Sequence, residues 1–511
     1  MNRYPALSRN TSLNGTLARG LALAMVAGLA VVPLFTAIAA AAVLVAQSVL
    51  ALVCNGHQFR KTAAAPRATR PGAMAASGIK LSVHVPAHKE PAPVLIATLA
   101  SLRHQPGAPP HEIVVIVNNT SDPALWQPVQ AWCAGAGPQF RFLRRDGVTG
   151  AKAGALNIAL AATDPATSHV VVVDADYQVT PGFLATVASE LARTKADFIQ
   201  FPQAYRHLTP ATEGLSFELA DYFNRHARAA NLAHAMLLTG TLSVISRPAL
   251  TAVGGWPGES CTEDAALGCG LIAAGYTGVF IDRVVGRGLM PLDLAGLHTQ
   301  RHRWAAGNAR VLVATAWRWT AAGRRAASPL HRSLVVSQLA AWLNLGALAC
   351  ALLVAGLVQT GLGLSPAQGF DAPAATITLS VGTLALILCG AVVPLLRPDD
   401  LRTRWPVRFG ALLSRVAMLP VSAGATLSGL STRPQAFRVT PKHVVRSRRD
   451  RVNVPLLVAG IAAVLVMALG LWQRDGAAVC AGALLLLPPA CARFPRRSLA
   501  TYAETVAAKE R

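Results

Sequence analysis

Two kinds of hydrophobic pattern divide the chain. Between Leu81 and about Leu297, short β-branched runs (LSVHV, EIVVIV, FRFL, HVVVVDAD, DFIQF and LSVIS) alternate with segments of helical apolar periodicity. Strands separated by helices predict a mostly parallel sheet, with ligands at the strand carboxyl ends. On either side of this region the apolar residues run on without alternation.

Leu21 to Cys54 is one such run. As a helix it would be about 50 Å long, against a hydrocarbon core of roughly 30 Å. Arg3, Arg9 and Arg19 precede it and a basic stretch from His57 to Arg70 follows, so both ends favour the cytoplasm and a hairpin turns near Pro33. One long tilted helix is the competing reading; a signal peptide is disfavoured because no polar cleavage region follows. Leu334 to Val358 and Ala374 to Leu396 read as spans joined by an outer loop without Lys or Arg, and basic residues from Arg397 to Arg408 return the chain inside. Val454 to Trp472 and Ala477 to Ala492 make a last hairpin, giving six spans in all.

Two further apolar segments read differently. From Ala305 to Arg325, Val311, Leu312, Ala314 and Trp317 with Arg310, Arg318, Arg324 and Arg325 predict a helix lying in the membrane interface. Phe409 to Leu430 is long enough to cross, but Arg415 and Pro420 weaken it, and a crossing would strand the RSRRDR run at 446–451 outside. It reads as interfacial or re-entrant. The expected division is a tail and hairpin (1–54), a basic linker (55–79), a soluble domain (80–304), an amphipathic interface helix (305–330), a hairpin (331–396), an interfacial helix with a loop (397–453), a hairpin (454–492) and a cytoplasmic tail (493–511).

Composition supports this division. Of 511 residues, 53% are hydrophobic and only 14% charged, too oily for an ordinary soluble pair of domains. The net charge of +23 sits in Arg clusters beside hydrophobic runs, which points to an anionic lipid bilayer and not to nucleic acid. The eight cysteines show no CxxC spacing and no paired His, so they read as small core or membrane residues, not as a zinc site or disulfide framework.

The soluble domain carries the candidate chemistry. A buried strand ends on Asp174-Ala175-Asp176; on an extended chain both carboxylates would face one side, where they would share a divalent cation with a diphosphate. A strand-end turn and helix cap is the bland alternative. GAKAGALN (150–157) offers Lys152 and free N–H groups at a helix start, an anion site or simply a flexible cap. Glu263-Asp264 heads an apolar helix, and a carboxylate there suits a general base. Gln300 and Arg303 suit a diphosphate, Trp304 offers a sugar a stacking face or anchors an interface helix, and Arg301 and His302 read as solvated or lipid-facing neighbours.

Taken together, VPAHKEP, VNNTSDP, GAKAGALN, DADY, TGT, CTED and QRHRW resemble the membrane-embedded family 2 glycosyltransferases, the group holding cellulose, hyaluronan and chitin synthases. NNTSDPALWQP with GRGLMPLDLAGLHTQRHRW looks most like the bacterial β-1,3-glucan synthases of the curdlan and cyclic β-glucan type. The resemblance covers about Lys80 to Arg310. It implies an α/β GT-A-like catalytic domain with a mostly parallel sheet, inserted in an α-helical transmembrane domain with interface helices. The implied enzyme sits in the bacterial inner membrane, faces the cytoplasm, uses Mg²⁺ or Mn²⁺, and polymerises UDP-glucose processively into a β-glucan that it exports, with possible export or periplasmic subunits. A non-processive transferase adding one sugar to a lipid, and a non-catalytic scaffold, are the alternatives.

Residue by residue, the resemblance puts Glu90, Asn118 and Asn119 by the nucleoside, and Lys152, Asp174 and Asp176 by the diphosphate and its cation. Asp264 would be the general base, with Glu263 beside it, Gln300 and Arg303 on the diphosphate, and Trp304 and Thr241 at the acceptor. Phe437, Val439, Thr440 and Lys442 fit the FxVTxK gating loop of cellulose synthase, or else a basic juxtamembrane loop. Three departures stand out: Asn118-Asn119 replaces the common Asp-Asp, His88 replaces an aromatic, and Thr239-Gly240-Thr241 replaces Cys-Gly-Ser.

Overall fold

A computed structural model describes residues 28, 31–56, 78–321, 328–364, 370–396, 403–431 and 453–509. Helix α1 (Pro33–Gly56) precedes the α/β domain. There the order is β1 (Leu81–Ala87), α2 (Ala92–Arg103), β2 (His111–Asn118), α3 (Pro123–Ala136), β3 (Phe140–Arg145), α4 (Ala151–Ala162), β4 (His169–Val172), β5 (Gln178–Val179), α5 (Phe183–Thr194), β6 (Phe198–Gln200) and α6 (Glu213–Tyr222). A π turn (Phe223–Ala227) follows, then β7 (Ser243–Ser246), α7 (Arg247–Ala252), α8 (Glu263–Ala273), β8 (Gly278–Phe280) and β9 (Gly286–Arg287).

The seven-stranded sheet has the order β3-β2-β1-β4-β7-β6-β8, and β7 alone runs against its neighbours. Every residue of β1 and all but the first of β2 are buried, which is why the middle of β2 is a continuous run of Ile and Val, while Ser82 and His84 in β1 are buried polar groups. The fold is a GT-A-like α/β domain with a mostly parallel sheet. All six predicted runs form its strands; β8, only three residues long, lacked a readable pattern.

Long helices complete the chain: α9 (Leu294–Ala321), α10 (Pro329–Ala340), α11 (Gly346–Gly361), α12 (Ala372–Val392), α13 (Trp405–Leu430), α14 (Val454–Gln473), α15 (Gly476–Cys491) and α16 (Arg493–Lys509). Among the described residues, five helical stretches, 33–55, 372–396, 405–430, 454–473 and 476–509, are long and apolar enough to cross a membrane. Asp371, Asn453 and Asp475 cap the starts of α12, α14 and α15 with side-chain oxygens.

Three expectations change. No boundary falls at 304/305, because α9 runs unbroken through it. The expected span from 334 to 358 is two helices, broken at 341–345. The break is tolerated because its backbone finds side-chain partners: Thr426 Oγ1 accepts from Asn344 N–H at 3.3 Å, Gln47 Oε1 from Leu345 N–H at 3.1 Å, and Asn344 Oδ1 from Gly346 N–H at 3.0 Å. From Pro33 the N-terminal run is one helix; residues 21–27, 29 and 30, in the first half of the expected hairpin, lie outside the described residues.

The segment expected to be interfacial, α13, is one helix with Pro420 inside it. Half of its residues are buried, and it packs against α6 and α9. It meets α6 through glycine: a Cβ on Gly214 would stand 2.8 Å from the backbone of Gly410 and Ala411. Gly214→Ala should therefore push α13 off α6 and lower stability by about 1–3 kcal/mol, read as a lower melting temperature of the purified protein. An unchanged melting temperature would contradict this contact.

Candidate active site

The carboxyl ends of β1, β2 and β4 and the starts of α4 and α8 open onto one cavity of about 350 Å³. Glu90, Asn118, Asn119, Lys152, Asp174, Asp176, Glu263, Asp264, Gln300, Arg303 and Trp304 all line it, so residues spread over more than two hundred positions converge. Phe437, Val439, Thr440 and Lys442 lie outside the described residues.

Lys152 is the hub. Its Nζ stands 2.5 Å from Asp174 Oδ1 and 3.9 Å from Glu263 Oε1, and donates to the Gly240 carbonyl at 3.2 Å. Burial works to lower its pKa, but the charges of Asp174, Glu263 and Asp264 outweigh it and hold the ammonium above the ordinary lysine value. Burial raises the Glu263 carboxyl, the charge of Asp264 adds to this, and Lys152 and Arg303 offset it only in part. Burial also holds Asp264 above the usual carboxylate range, while the N–H of Ala265 donates to its Oδ1 at 2.8 Å. Gly240, at φ +94°, leaves room for Asp264: a Cβ there would sit 3.0 Å from Oδ2.

The two aspartates after β4 do not share one extended face. The strand stops at Val172, and Tyr177 N–H closes a turn onto the Asp174 carbonyl at 3.0 Å. Lys152 takes Asp174, while Leu289 N–H donates to Asp176 Oδ2 at 3.1 Å. Among the described residues no group of three or more His, Cys, Asp or Glu is placed to hold a metal ion by itself. A divalent cation nonetheless fits, because an oriented carboxylate on the cavity wall suits an ion that completes its shell with phosphate oxygens and water.

Two predicted residues serve the walls. Asn119 (φ +47°) clamps the loop before α4, donating from Nδ2 to the Val148 carbonyl at 2.8 Å and accepting Val148 N–H at 2.9 Å, so its amide is committed to backbone. Thr241, expected at the acceptor, is buried with its hydroxyl accepting from Asp174 N–H at 3.0 Å; Thr239 and Gly240 line the cavity instead. His88 lines it too, with Nδ1 2.9 Å from the Asn118 carbonyl.

Helix α9 closes the far side. Gly307 lets it dock on the loop before Glu263, where a Cβ would stand 2.5 Å from Thr262 Cγ2. Gln300 Oε1 is buried with no hydrogen-bond partner among the described residues. Trp304 packs against Trp342 with ring centroids 5.2 Å apart.

Arg301, expected to be solvated or lipid-facing, is buried. Its guanidinium lies 4.8 Å from the Trp304 ring and 4.3 Å from Trp342, and pairs with Glu218, which also meets Arg415. Asp221 joins the same network through Arg225 and Arg415; burial would raise its pKa, but these two guanidiniums hold it far below the usual range. Gln203 and Tyr205 on the cavity wall were also missed, although their position just beyond β6, at the ligand edge of the sheet, was a usable signal.

Comparison with known proteins bears on this arrangement. Residues 82–254 match Glycosyl transferase family 2, and residues 169–391 match Glycosyl transferase family group 2. The chain is 27% identical over 210 residues to a probable glucomannan 4-beta-mannosyltransferase 11 of Arabidopsis thaliana, covering 39% of this chain and 47% of that protein. It is 28% identical over 187 residues to a UDP-forming cellulose synthase catalytic subunit of Dictyostelium discoideum, covering 35% of this chain and 18% of that one. The match thus spans less than half the length of either relative. A mannosyltransferase from Pyrobaculum calidifontis, solved with GDP-Man and Mn²⁺, covers 78% of this chain and 100% of its own at 20% identity, with a TM-score of 0.48.

The raised carboxyl of Glu263 has a consequence for stability. A carboxyl whose folded pKa exceeds its unfolded one favours folding fully below the ordinary value near 4.3 and loses that contribution as pH rises through the folded value. Glu263→Gln stays neutral, so at pH 8 it should melt higher than the unsubstituted protein by on the order of 2 °C, and the difference should close near pH 4. Thermal unfolding at both pH values checks this; a lower melting point at pH 8 would contradict it.

Proposed function

We propose that this chain, which carries family 2 glycosyltransferase domains, is an inverting, processive transferase that builds a β-linked glucan from UDP-glucose and passes it through the membrane. The observation that carries the reading is the convergence of Lys152-Asp174, Asp176, Glu263-Asp264, Gln300, Arg303 and Trp304 on one cavity. Glucose and the β-1,3 linkage follow from the motif resemblance. The catalytic domain faces the cytoplasm in this reading, at a bacterial inner membrane.

The chemistry is a single displacement. Asp264 takes the proton of an acceptor hydroxyl as its oxygen bonds to the anomeric carbon, and the bond from that carbon to the diphosphate breaks on the opposite side. Attack on an α-linked donor gives a β linkage, with no covalent glycosyl-enzyme intermediate. Lys152 and Arg303 offset the charge of the departing diphosphate, and Gln300 offers its amide N–H to the diphosphate and its buried Oε1 to a hydroxyl of the acceptor. A Mg²⁺ or Mn²⁺ held by Asp176, with Asp174 nearby, would supply further neutralisation of the leaving group. Trp304 offers its ring to the acceptor sugar.

Polymerisation draws support from a second cavity. It has a volume of about 110 Å³ and is lined by Gln47, Trp342, Asn344, Arg301 and Arg415 among the apolar helices. Trp342 touches Trp304, so aromatic and polar groups continue from the acceptor side towards the lipid-facing helices. A mannosyl donor is the second reading, favoured by the names of the glucomannan mannosyltransferase relatives.

Purified protein offered UDP-glucose and GDP-mannose, followed by linkage and size analysis of the product, separates these readings: a long β-glucan supports the first, and a single sugar on lipid would end the claim of processivity. Asp264→Asn should lower kcat by about 10²- to 10⁴-fold with an intact fold, and near-normal turnover would remove Asp264 as the base. Because burial raises the Asp264 pKa, the acid limb of kcat/KM should lie above the ordinary carboxylate range.

A further inference from the structure

Helix α16 reaches back to the cation side of the cavity. Tyr502 is completely buried and belongs to the same apolar cluster as Leu499, Val506, Tyr205 and Met290. Its hydroxyl donates to the carbonyl of Arg206, 296 residues away in sequence, at 3.0 Å, and accepts from Met290 N–H at 3.1 Å. A buried phenol oxygen needs a hydrogen-bond partner, and this one takes two, one from each of two separate segments.

Those partners belong to the two segments that hold Asp176. Arg206 Nη1 donates to the Asp176 carbonyl at 2.8 Å, and Leu289 N–H, one residue before Met290, donates to Asp176 Oδ2 at 3.1 Å. The segments also pair directly, with Arg206 N–H on the Gly288 carbonyl and Gly288 N–H on the Ala204 carbonyl, each at 2.9 Å. One phenolic oxygen therefore bridges the segment that donates to the Asp176 carbonyl and the segment that donates to its carboxylate.

We propose that Tyr502 is a positioning residue for Asp176: its hydroxyl bridges the 206 and 289–290 segments and so fixes the direction in which the carboxylate meets a divalent cation. The inference rests on Asp176 as the cation ligand. It also gives α16 a role beyond packing, because the helix that follows α15 becomes part of the support of the nucleotide site. Loss of a group that orients a metal ligand typically weakens metal affinity by about 10- to 100-fold.

The test uses the full chain in detergent, with Mn²⁺ binding in the presence of UDP followed by the electron paramagnetic resonance signal of the free ion. Tyr502→Phe keeps the ring and removes the hydroxyl, and should weaken Mn²⁺ binding by about tenfold with little change in melting temperature. Val506→Ala, one turn further along α16, should lower the melting temperature and leave Mn²⁺ affinity alone. Unchanged affinity in Tyr502→Phe, or equal weakening in Val506→Ala, would overturn the proposal. If Tyr502→Phe does not fold, Arg206→Lys interrupts the same link and should weaken Mn²⁺ binding; unchanged affinity there overturns it as well. Asp176→Asn separates the two levels: if it leaves UDP-dependent Mn²⁺ binding intact, the cation reading itself fails, whereas its loss together with an unaffected Tyr502→Phe sinks only the role of the tyrosine.

Discussion

A single ammonium group joins the parts of this site. Lys152 is brought to the cavity by the start of α4, reaches Asp174 beyond β4, Glu263 at the head of α8 and the Gly240 carbonyl before β7, and thereby ties three separate stretches of chain. A charge taken out of water is expensive unless it is paired and hydrogen-bonded. Here the dependence is mutual, since the carboxylates keep Lys152 charged and Lys152 keeps two crowded acids from rising further. Packing of the sheet brings the three stretches close; the charge fixes how they face one another.

The same principle recurs where the α/β domain meets the apolar helices. Glu218 and Asp221 on α6 hold Arg301 of α9, Arg415 of α13 and Arg225 of the π turn. Glycine lets α6 and α13 approach closely enough for those pairs to form. Trp304 leans on Arg301 and Trp342, so the ring facing the cavity is set by a network rooted on its other side. Arg415, which from the sequence alone weakens the case for a membrane crossing, is accounted for inside the protein by this pairing.

Much of this was legible in the sequence because its signals are local. Runs such as EIVVIV and HVVVVDAD announce buried parallel strands, and the polar groups that follow them fall at the ligand edge of the sheet. What could not be read depends on partners far away in the chain. The turn that separates Asp174 from Asp176 is stabilised by Leu289 N–H and Lys152, and nothing in DADY names either. The helix break at 341–345 looked like continuous apolar sequence because its replacement hydrogen bonds come from Gln47 and Thr426. Arg301 was misjudged for the same reason: its Glu218 partner lies 83 residues earlier, on a helix whose packing the pattern does not reveal.

Helix α9 has a mechanical consequence. Gln300, Arg303, Trp304 and Gly307 are spaced by three and four residues, so they share one stripe of a single uninterrupted rod from Leu294 to Ala321. A slide of one residue along its axis is about 1.5 Å and would carry the amide, the guanidinium and the indole together, as teeth on one rack. The proposed grip on the leaving group and the proposed seat of the incoming sugar therefore share one degree of freedom, and neither can be retuned by shifting this helix without moving the other.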